Sequence, residues 1–246
     1  TWNTKYGSIP KNYFITNGSV PGHIVFDAII SHNPYIHIPL SIPIAQQLNI
    51  PIISVWHTEP PQNWGQESYE QARSLFDRCH FHVFISDYNR LSWGFNRRPD
   101  TEVIYHSINT DLFKPSGEER QNIITSVAND YINRNAELGF GLWQVLTKDL
   151  PTKVIGSTPG LSEPAKSIGD LVEQLGKSRI FLNTAIRSPL PMSLLEAAAT
   201  ECAIVTSNVC SIPDVFRHGK NCLMYSISRP EDGRRHLERL LNDEDL

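Results

Sequence analysis

Residues 188–225, SPLPMSLLEAAATECAIVTSNVCSIPDVFRHGKNCLMY, carry the pattern that decides the fold of this chain. Pro191 suits the first turn of a helix, because the N–H that proline lacks would have no partner there. Helical spacing of apolar residues follows over 192–202, and the β-branched run AIVTS comes next at 203–207. Another apolar run lies upstream, at 179–183. The stretch therefore predicts a helix between two buried strands, which is the building unit of a parallel sheet.

The same alternation continues outward over most of the chain. The turn-like sequence FKPSG at 113–117 separates four strand-like runs from five others. We therefore predict two parallel α/β sheets, with a first domain over 1–113 and a second over 114–246. The strand-like runs are 28–32, 52–56, 81–85, 102–105, 122–127, 153–156, 179–183, 203–207 and 222–225. The helical segments are 38–48, 67–79, 87–94, 137–146, 168–175, 192–202, 213–217 and 230–241.

The composition is that of a globular protein without a strong charge bias. The 246 residues are 40% hydrophobic, and 22 Lys and Arg stand against 26 Asp and Glu, for a net charge of −4. This balance argues against a protein that mainly neutralises a nucleic-acid backbone. No apolar run reaches the roughly 18 residues of a membrane-spanning helix, and the four cysteines lack paired close spacing. We expect a soluble, cytoplasmic protein with reduced thiols and no nucleic-acid partner.

The loop and helix around Pro191 have the form of an anion site. Ligands of open parallel sheets bind beyond the carboxyl ends of the strands, where loops lead into helices. Free amides at Met192, Ser193 and Leu194 would suit a phosphate or diphosphate there. Glu196, about one turn further on, can accept hydrogen bonds from two adjacent hydroxyls, as on a ribose. The alternative interpretation of Glu196 is a carboxylate that merely complements the helix dipole.

The run 188–225 resembles the donor-binding segment of family 4 glycosyltransferases, which are retaining enzymes with the two-domain GT-B fold. The similarity lies in LLEA at 194–197, AIVTS at 203–207, IPD at 212–214 and HGKNCL at 218–223. Upstream, IPIISVWHT at 50–58 is similar to the strand that ends in the family's N-domain histidine, and IYHSINTDLFKP at 104–115 to its interdomain segment. The resemblance covers most of 27–242 and implies two Rossmann-like domains that face a cleft.

The resemblance also assigns roles in the second domain, with two departures. Family members usually have a glutamate eight positions before the counterpart of Glu196 to contact the donor sugar, and here that position is Ser188. An arginine and a lysine that hold the diphosphate correspond to Asn129 and Arg134, so one cation remains. A guanidinium can bind phosphate oxygens through two donors. The alternatives are a solvated loop arginine at 134 and a loop-capping serine at 188.

His57 follows an apolar strand at the position of the family's cleft histidine, where the resemblance implies a contact with the sugar or the acceptor. The alternative is a polar group at a strand end without a further role. His80 and His82 share one face of a predicted strand, but no third ligand stands at useful spacing. The one Asp-x-Asp string is at 243–245, at the end of the chain. We expect no metal and no cofactor apart from the donor substrate.

Taken together, the sequence predicts a metal-independent retaining transferase that moves a sugar from a UDP-sugar or GDP-sugar to an acceptor hydroxyl. The acceptor is an unidentified glycan, lipid or small molecule, and peripheral membrane contact is compatible with the sequence. One alternative is a noncatalytic GT-B module that binds nucleotide or glycan, and another is a sugar-nucleotide epimerase. The short stretches before Asp27 and after Asn242 predict a reduced N-terminal domain or a fragment. Catalytic roles are expected for His57, Glu196 and Arg134, and donor contacts for Glu196, Arg134, Asn129, Ser188, Pro191, Met192 and Ser193.

Overall fold

The computed structural model describes residues 25–32, 34–96 and 98–243, and for 34–36 it describes the backbone alone. The chain divides into two compact units between His106 and Ser107. The boundary expected from the sequence, after Phe113, lies slightly further along the chain. Phe113 is buried in the apolar core of the second unit, and Ile108 packs against the same core. The segment between the two sheets therefore contributes apolar side chains to the second unit.

The first unit contains β1 (Ile29–His32), α1 (Pro34–Leu48), β2 (Ile52–Trp56), α2 (Gln66–Phe76), β3 (Phe81–Phe84), α3 (Asp87–Ser92) and β4 (Thr101–Val103). Among its described residues, the strands form one parallel sheet in the order β1-β2-β3-β4. Each helix connects two strands that run in the same direction, as the sequence pattern predicts. The carboxyl ends of all these strands therefore meet at one edge of the sheet.

Aromatic side chains form the core of the first unit. Its buried cluster consists of Ile38, Trp56, Ala72, Phe76, Phe84, Trp93 and Phe95. The ring of Trp56 packs on Phe76 at 4.2 Å and on Trp93 at 4.7 Å between centroids. Such large rings bury much apolar area per residue, so a small sheet acquires a continuous core.

A buried polar chain crosses this aromatic core. The indole Nε1 of Trp56 donates to Ser54 Oγ at 2.8 Å, and the same oxygen lies at hydrogen-bond distance, 2.7 Å, from Nδ1 of His82. Burial lowers the pKa of His82 to about 4, so its ring is neutral at pH 7. His80 lies before β3, and its Nδ1 accepts the amide of Ile52 at 3.2 Å. Both histidines therefore have structural partners, and His80 lies outside the strand on which it was expected.

The second unit begins with β5 (Gln121–Val127), α4 (Asn135–Leu138), α5 (Phe140–Thr147), β6 (Thr152–Ile155), α6 (Ile168–Gly176) and β7 (Ser178–Asn183). It continues with α7 (Met192–Ala199), β8 (Ala203–Ser207), α8 (Ile212–Val215), β9 (Leu223–Tyr225) and α9 (Pro230–Asn242). The described strands form one parallel sheet in the order β6-β5-β7-β8-β9. From β5 the chain first adds β6 on one side and then β7 on the other. The strand order thus reverses between β5 and β7.

Apolar layers cover both faces of the second sheet. Phe181 and Ile204 belong to one buried cluster, whereas their neighbours Leu182 and Val205 belong to another. Successive side chains of a strand point to opposite faces, so this alternation places one cluster on each face. The result is the sandwich of helices around a parallel sheet that the continuous apolar runs predict.

The predicted pair of parallel sheets is confirmed, and the main local difference concerns a helix. The sequence predicts one helix over 137–146, but the structure breaks it into α4 and α5 at Gly139, whose φ is +74°. This left-handed conformation ends a helix readily at glycine. None of the helices in the described ranges combines the length and the apolar character that crossing a bilayer requires.

Candidate functional site

The reversal of strand order creates a crevice at the carboxyl ends of β5 and β7. Open parallel sheets bind their ligands at such points, beyond the carboxyl ends of the strands. The loop after β5 contains Asn129 and Arg134, and the loop after β7 leads through Ser188 to Pro191 and α7. The tertiary structure therefore brings the second-domain site residues predicted from the sequence to one edge of one sheet.

These two loops are held against each other. The backbone oxygen of Glu137 accepts the amides of Ile186 at 2.8 Å and Arg187 at 3.0 Å. Gly139 approaches so closely that a Cβ atom on it would lie 2.1 Å from the carbonyl oxygen of Thr184. A residue with a side chain cannot occupy this position without moving the backbone. The contact therefore requires glycine for its space as well as for its positive φ.

Tyr131 adds a buried side-chain contact between the same loops. The hydroxyl of Thr184 donates to the backbone oxygen of Leu138 at 2.8 Å. Since that hydroxyl has a single hydrogen, the phenol of Tyr131 is the donor in its contact with Thr184 Oγ1. Burial raises the pKa of Tyr131 well above its ordinary value, so the donor stays protonated. The framework of the crevice is thus fixed on both sides.

The amino end of α7 offers two backbone donors. The helix begins at Met192, and Pro191 is its N-cap with extended backbone, one position earlier than the predicted first turn. The amide of Leu194 donates to the oxygen of Pro191 at 3.2 Å, so this third predicted donor is used within the turn. In the described part of the chain, the amides of Met192 and Ser193 have no hydrogen-bond partner. An anion can bind at such a helix end.

Glu196 is a half-buried carboxylate without a partner among the described residues. Burial raises its pKa above the ordinary value, and no neighbouring charge contributes to this shift. The first turn of α7 contains no acidic residue, so Glu196 lies too far along the helix to complement the dipole at its start. A desolvated, unpaired carboxylate is costly for the fold and is typical of a ligand-binding position.

Arg134 is engaged within its own loop. Its guanidinium donates to one carboxylate oxygen of Glu137, from Nε at 3.0 Å and from the terminal nitrogen at 2.6 Å. Both side chains are about half exposed, 49% and 53%, so the pair contributes little to stability. Arg134 is therefore an exposed loop arginine that pairs with a neighbouring carboxylate. Among the described residues, its remaining N–H groups have no hydrogen-bond partner, so they can still donate to a phosphate.

Asn129 and Ser188 occupy the two positions that depart from the family pattern. The carbonyl oxygen of the Asn129 side chain accepts the amide of Ser157 at 2.9 Å, which ties the loop after β5 to the loop after β6. Its side-chain nitrogen has no partner among the described residues. Ser188 is half-buried, and its hydroxyl likewise makes no hydrogen bond there. The loop-capping interpretation of Ser188 is thus not supported by a capping contact.

His57, in the first unit, belongs to a cluster that the sequence analysis missed. It directly follows β2, and its Nε2 lies 2.7 Å from Nδ1 of His32, the last residue of β1. The rings of His32 and His106 are nearly parallel to that of His57, with centroids at 5.0 Å and 5.5 Å. Burial, followed by the nearby His32 and His106, lowers the pKa of His57. The sequence contains an indication of this cluster, because His32 ends one predicted strand and His57 directly follows the next.

In the described residues, no group of three or more His, Cys, Asp or Glu side chains is arranged to hold a metal ion. The polar groups at the β5–β7 crevice are instead amides, one guanidinium, one carboxylate and two small polar side chains. This set suits a ligand that combines an anionic group with neighbouring hydroxyls.

The carboxyl-terminal part of the chain matches a family model. Residues 164–246, the last 83 of the 246, match the model of glycosyl transferases group 1. The matched part contains Ser188, Pro191 and Glu196, whereas Asn129, Arg134 and His57 lie outside it. No curated protein matches the chain.

Several solved structures have a similar fold. Anabaena HepE in complex with UDP is 13% identical, with 89% of this chain and 70% of that chain covered and a TM-score of 0.75. An E. coli trehalose-6-phosphate structure with bound UDP-2-fluoro glucose is 14% identical, covers 89% and 66%, and has a TM-score of 0.66. Sucrose-phosphate synthase of Thermosynechococcus elongatus is 12% identical, covers 88% and 70%, and has a TM-score of 0.65. This likeness shows the fold, which is GT-B with two Rossmann-like domains, as predicted.

Proposed function

We propose that this chain is a retaining glycosyltransferase of family 4, which transfers a sugar from a nucleotide-diphosphate donor to an acceptor hydroxyl without a metal ion. The observation that carries the proposal is Glu196, a half-buried carboxylate without a partner among the described residues, next to free amides at the crevice between β5 and β7. The match of residues 164–246 to group 1 glycosyl transferases supports it. The acceptor side would belong to the first unit, up to His106, and the donor side to the second, from Ser107.

In this proposal, Glu196 accepts hydrogen bonds from the two ribose hydroxyls of the donor. The amides of Met192 and Ser193 and the guanidinium of Arg134 bind the diphosphate. Negative charge builds on this group as the bond to the sugar breaks, so donors that are already in place stabilise the transition state. The bond between the anomeric carbon and the acceptor oxygen forms on the same face, and the departing phosphate takes the acceptor's proton. No protein nucleophile is required.

The contact between Arg134 and Glu137 sets a condition on donor binding. A diphosphate must share the guanidinium with Glu137 or displace it. This exchange costs little, because the pair is half exposed and a diphosphate carries more negative charge than one carboxylate. Asn129 would add a neutral donor through its side-chain nitrogen, and Ser188 would contact the sugar through its hydroxyl. His57 would contact the sugar or the acceptor from the first domain.

UDP-sugars are the proposed donors, ahead of GDP-sugars. Anabaena HepE, one of the similar structures, was solved with UDP, with UDP and glucose, and with UDP-glucose. The four cysteines are free thiols, which suits a reducing compartment, so we propose a cytoplasmic location. The proposed partners are the donor and a glycan, lipid or small-molecule acceptor.

The test combines binding with product analysis. Calorimetry with UDP, GDP and their glucose conjugates should show binding of at least one nucleotide, and Arg134→Ala should weaken that binding about tenfold. Glu137→Gln is the matched control, because it releases Arg134 and should leave binding equal or tighter. Incubation with the bound donor and a panel of hydroxyl acceptors should give a product with the donor's anomeric configuration, read by proton NMR. Absence of nucleotide binding, or an inverted product, would contradict the proposal.

A noncatalytic module that binds the nucleotide is the second candidate. Ser188 favours it, because a hydroxyl stands where a sugar-binding carboxylate is usual in the family. Binding of UDP-glucose with neither transfer nor slow hydrolysis of the donor would support the module. Ser188→Glu then decides between the two, since restored transfer would show that the missing carboxylate alone limits the chemistry. A changed sugar recovered from donor alone would instead indicate an epimerase.

A further inference from the structure

The contact between His32 and His57 limits how His57 can act. His57 Nε2 and His32 Nδ1 are 2.7 Å apart, which is a hydrogen-bond distance that requires one hydrogen between the two nitrogens. The Nε2 nitrogen of His57 is therefore already engaged in an intramolecular hydrogen bond. His57 makes no other hydrogen bond in the described part of the chain, so Nδ1 is the nitrogen left for a ligand.

Counting hydrogens defines the states of this pair. Two neutral imidazoles carry two N–H groups. One lies between the rings, and the other is on one of the outer nitrogens, either His57 Nδ1 or His32 Nε2. One added proton turns both outer nitrogens into donors. A second would place two N–H groups face to face at 2.7 Å, so the pair holds at most one positive charge.

We propose that His32 is a positioning residue for His57, which holds Nε2 in a hydrogen bond and fixes the orientation of the His57 ring, so that Nδ1 alone meets the substrate. The inference rests on the function proposed for His57. His32 itself need not touch a substrate, because it acts through the shared hydrogen. In metal sites and catalytic triads, a second group that binds the far nitrogen of a histidine has this effect.

The groups around the pair are consistent with this role. The titratable groups that act on His57 are His32, at the end of β1, and His106, which follows β4. Nδ1 of His37, on α1, donates to the backbone oxygen of His32 and so anchors the residue that holds His57. The electrostatic effect of both neighbouring imidazoles lowers the pKa of His57, and no carboxylate contributes to the shift. The surroundings therefore favour the neutral form of His57.

Two substitutions at position 32 separate the hydrogen bond from the ring. His32→Phe keeps a stacked ring and removes the partner of Nε2, whereas His32→Asn places a carboxamide near the position of Nδ1 and can restore the bond. The control is His80→Asn, which removes a histidine from the amino end of the same sheet. Each variant is made in the full chain, with imidazole nitrogens labelled with nitrogen-15.

The first measurement needs no substrate. In the wild-type protein, we expect a coupling across the hydrogen bond between His57 Nε2 and His32 Nδ1. His32→Phe should shift the Nε2 signal of His57, because that nitrogen loses its hydrogen-bond partner, whereas His32→Asn and His80→Asn should leave it near its wild-type position. Absence of the coupling, or unchanged His57 signals in a folded His32→Phe protein, overturns the inference. If His32→Phe does not fold, the wild-type coupling and His32→Asn decide.

The second measurement is the pH profile of transfer. On the plateau, His32→Phe should lower kcat/KM about fivefold, the usual effect of one lost neutral hydrogen bond, and His32→Asn should stay within twofold of the wild type. In both variants the acid limb should move to higher pH, because the electrostatic effect of His32 no longer lowers the pKa of His57. Equal losses in both variants would overturn the positioning role. A protein that shows the coupling but no transfer with any donor would contradict the proposed function and leave the positioning of His57 intact.

Discussion

Glu196→Gln should weaken nucleotide binding and leave the fold at least as stable. A charged acceptor contributes about 1.5–3 kcal/mol per hydrogen bond, and a glutamine still offers one carbonyl acceptor in nearly the same volume. No described residue is bonded to the Glu196 side chain, so the substitution frees no partner that could offset the loss. We therefore expect the loss of about one charged hydrogen bond to ribose, which raises the Kd for UDP by about 10- to 150-fold.

The effect on stability has the opposite sign at neutral pH. Burial raises the pKa of Glu196, so the folded chain binds a proton more readily than the unfolded chain does. Stability therefore falls as pH rises through the two pKa values, and at pH 7 the whole cost of the buried charge is present. Glutamine removes that cost. The Tm of the variant should be equal or higher at pH 7.5, and the difference should vanish below about pH 4.

Calorimetric titration with UDP and thermal unfolding at two pH values test both statements. Glu201→Gln is the matched control, because Glu201 is exposed just after α7 and should change neither quantity. A variant at position 196 that binds UDP as the wild type does would refute the ribose contact. A lower Tm at pH 7.5 would refute the interpretation of Glu196 as a costly carboxylate without a partner among the described residues.

Three further predictions concern the framework of the two units. Gly139→Ala should lower the Tm by about 5 °C or more, because its Cβ would lie 2.1 Å from the carbonyl oxygen of Thr184. Gly141→Ala is the control, since the nearest atom to its Cβ would be 3.6 Å away, and equal Tm values for the two variants would contradict the close approach. Tyr131→Phe should lose about 1 kcal/mol of stability in urea unfolding because it removes the donor to Thr184, and no loss would argue against that bond. The pKa of His82, about 4 in the folded chain, lies below that of a histidine in the unfolded chain. As pH falls, the unfolded chain therefore binds a proton before the folded chain does, and the free energy of unfolding decreases. Between pH 7 and 4.5 this effect is about 2 kcal/mol, and His82→Gln should remove it; an unchanged pH dependence would contradict the neutral, buried ring.

Local patterns were sufficient for most elements of the fold. The run AIVTS was predicted as a strand at 203–207 and forms β8 over Ala203–Ser207. Apolar runs of this kind are typical of strands covered on both faces, and their spacing along the chain predicts the helices between them. The prediction of one helix over 137–146 was wrong at Gly139, because the chain there packs against Thr184, a residue far away in the sequence. Helical spacing carries no information about such a contact.

The candidate site could be predicted only in part, for a similar reason. The sequence marks Glu196 and the amides after Pro191 through their position at the start of a helix, which is a local property. The partner that Arg134 finds in Glu137, and the bond of Asn129 to Ser157, depend on how loops fold back. Asn129 and Arg134 were identified by alignment with a family pattern, which says nothing about these contacts. Their roles in binding stay predictions.

The sequence by itself determined the class of the fold, since hydrophobic periodicity records whether each segment is a buried strand or a helix. It also determined that Glu196 follows Pro191 by just over one helical turn and that His57 directly follows a strand. The tertiary structure alone decided that β7 pairs with β5 opposite β6, which opens the crevice beside both loops. It alone decided that His32 lies 2.7 Å from His57, 25 residues apart in the chain. The physical reason is that strand pairing is a non-local choice, set by which faces and edges bury together, and no single segment contains that information.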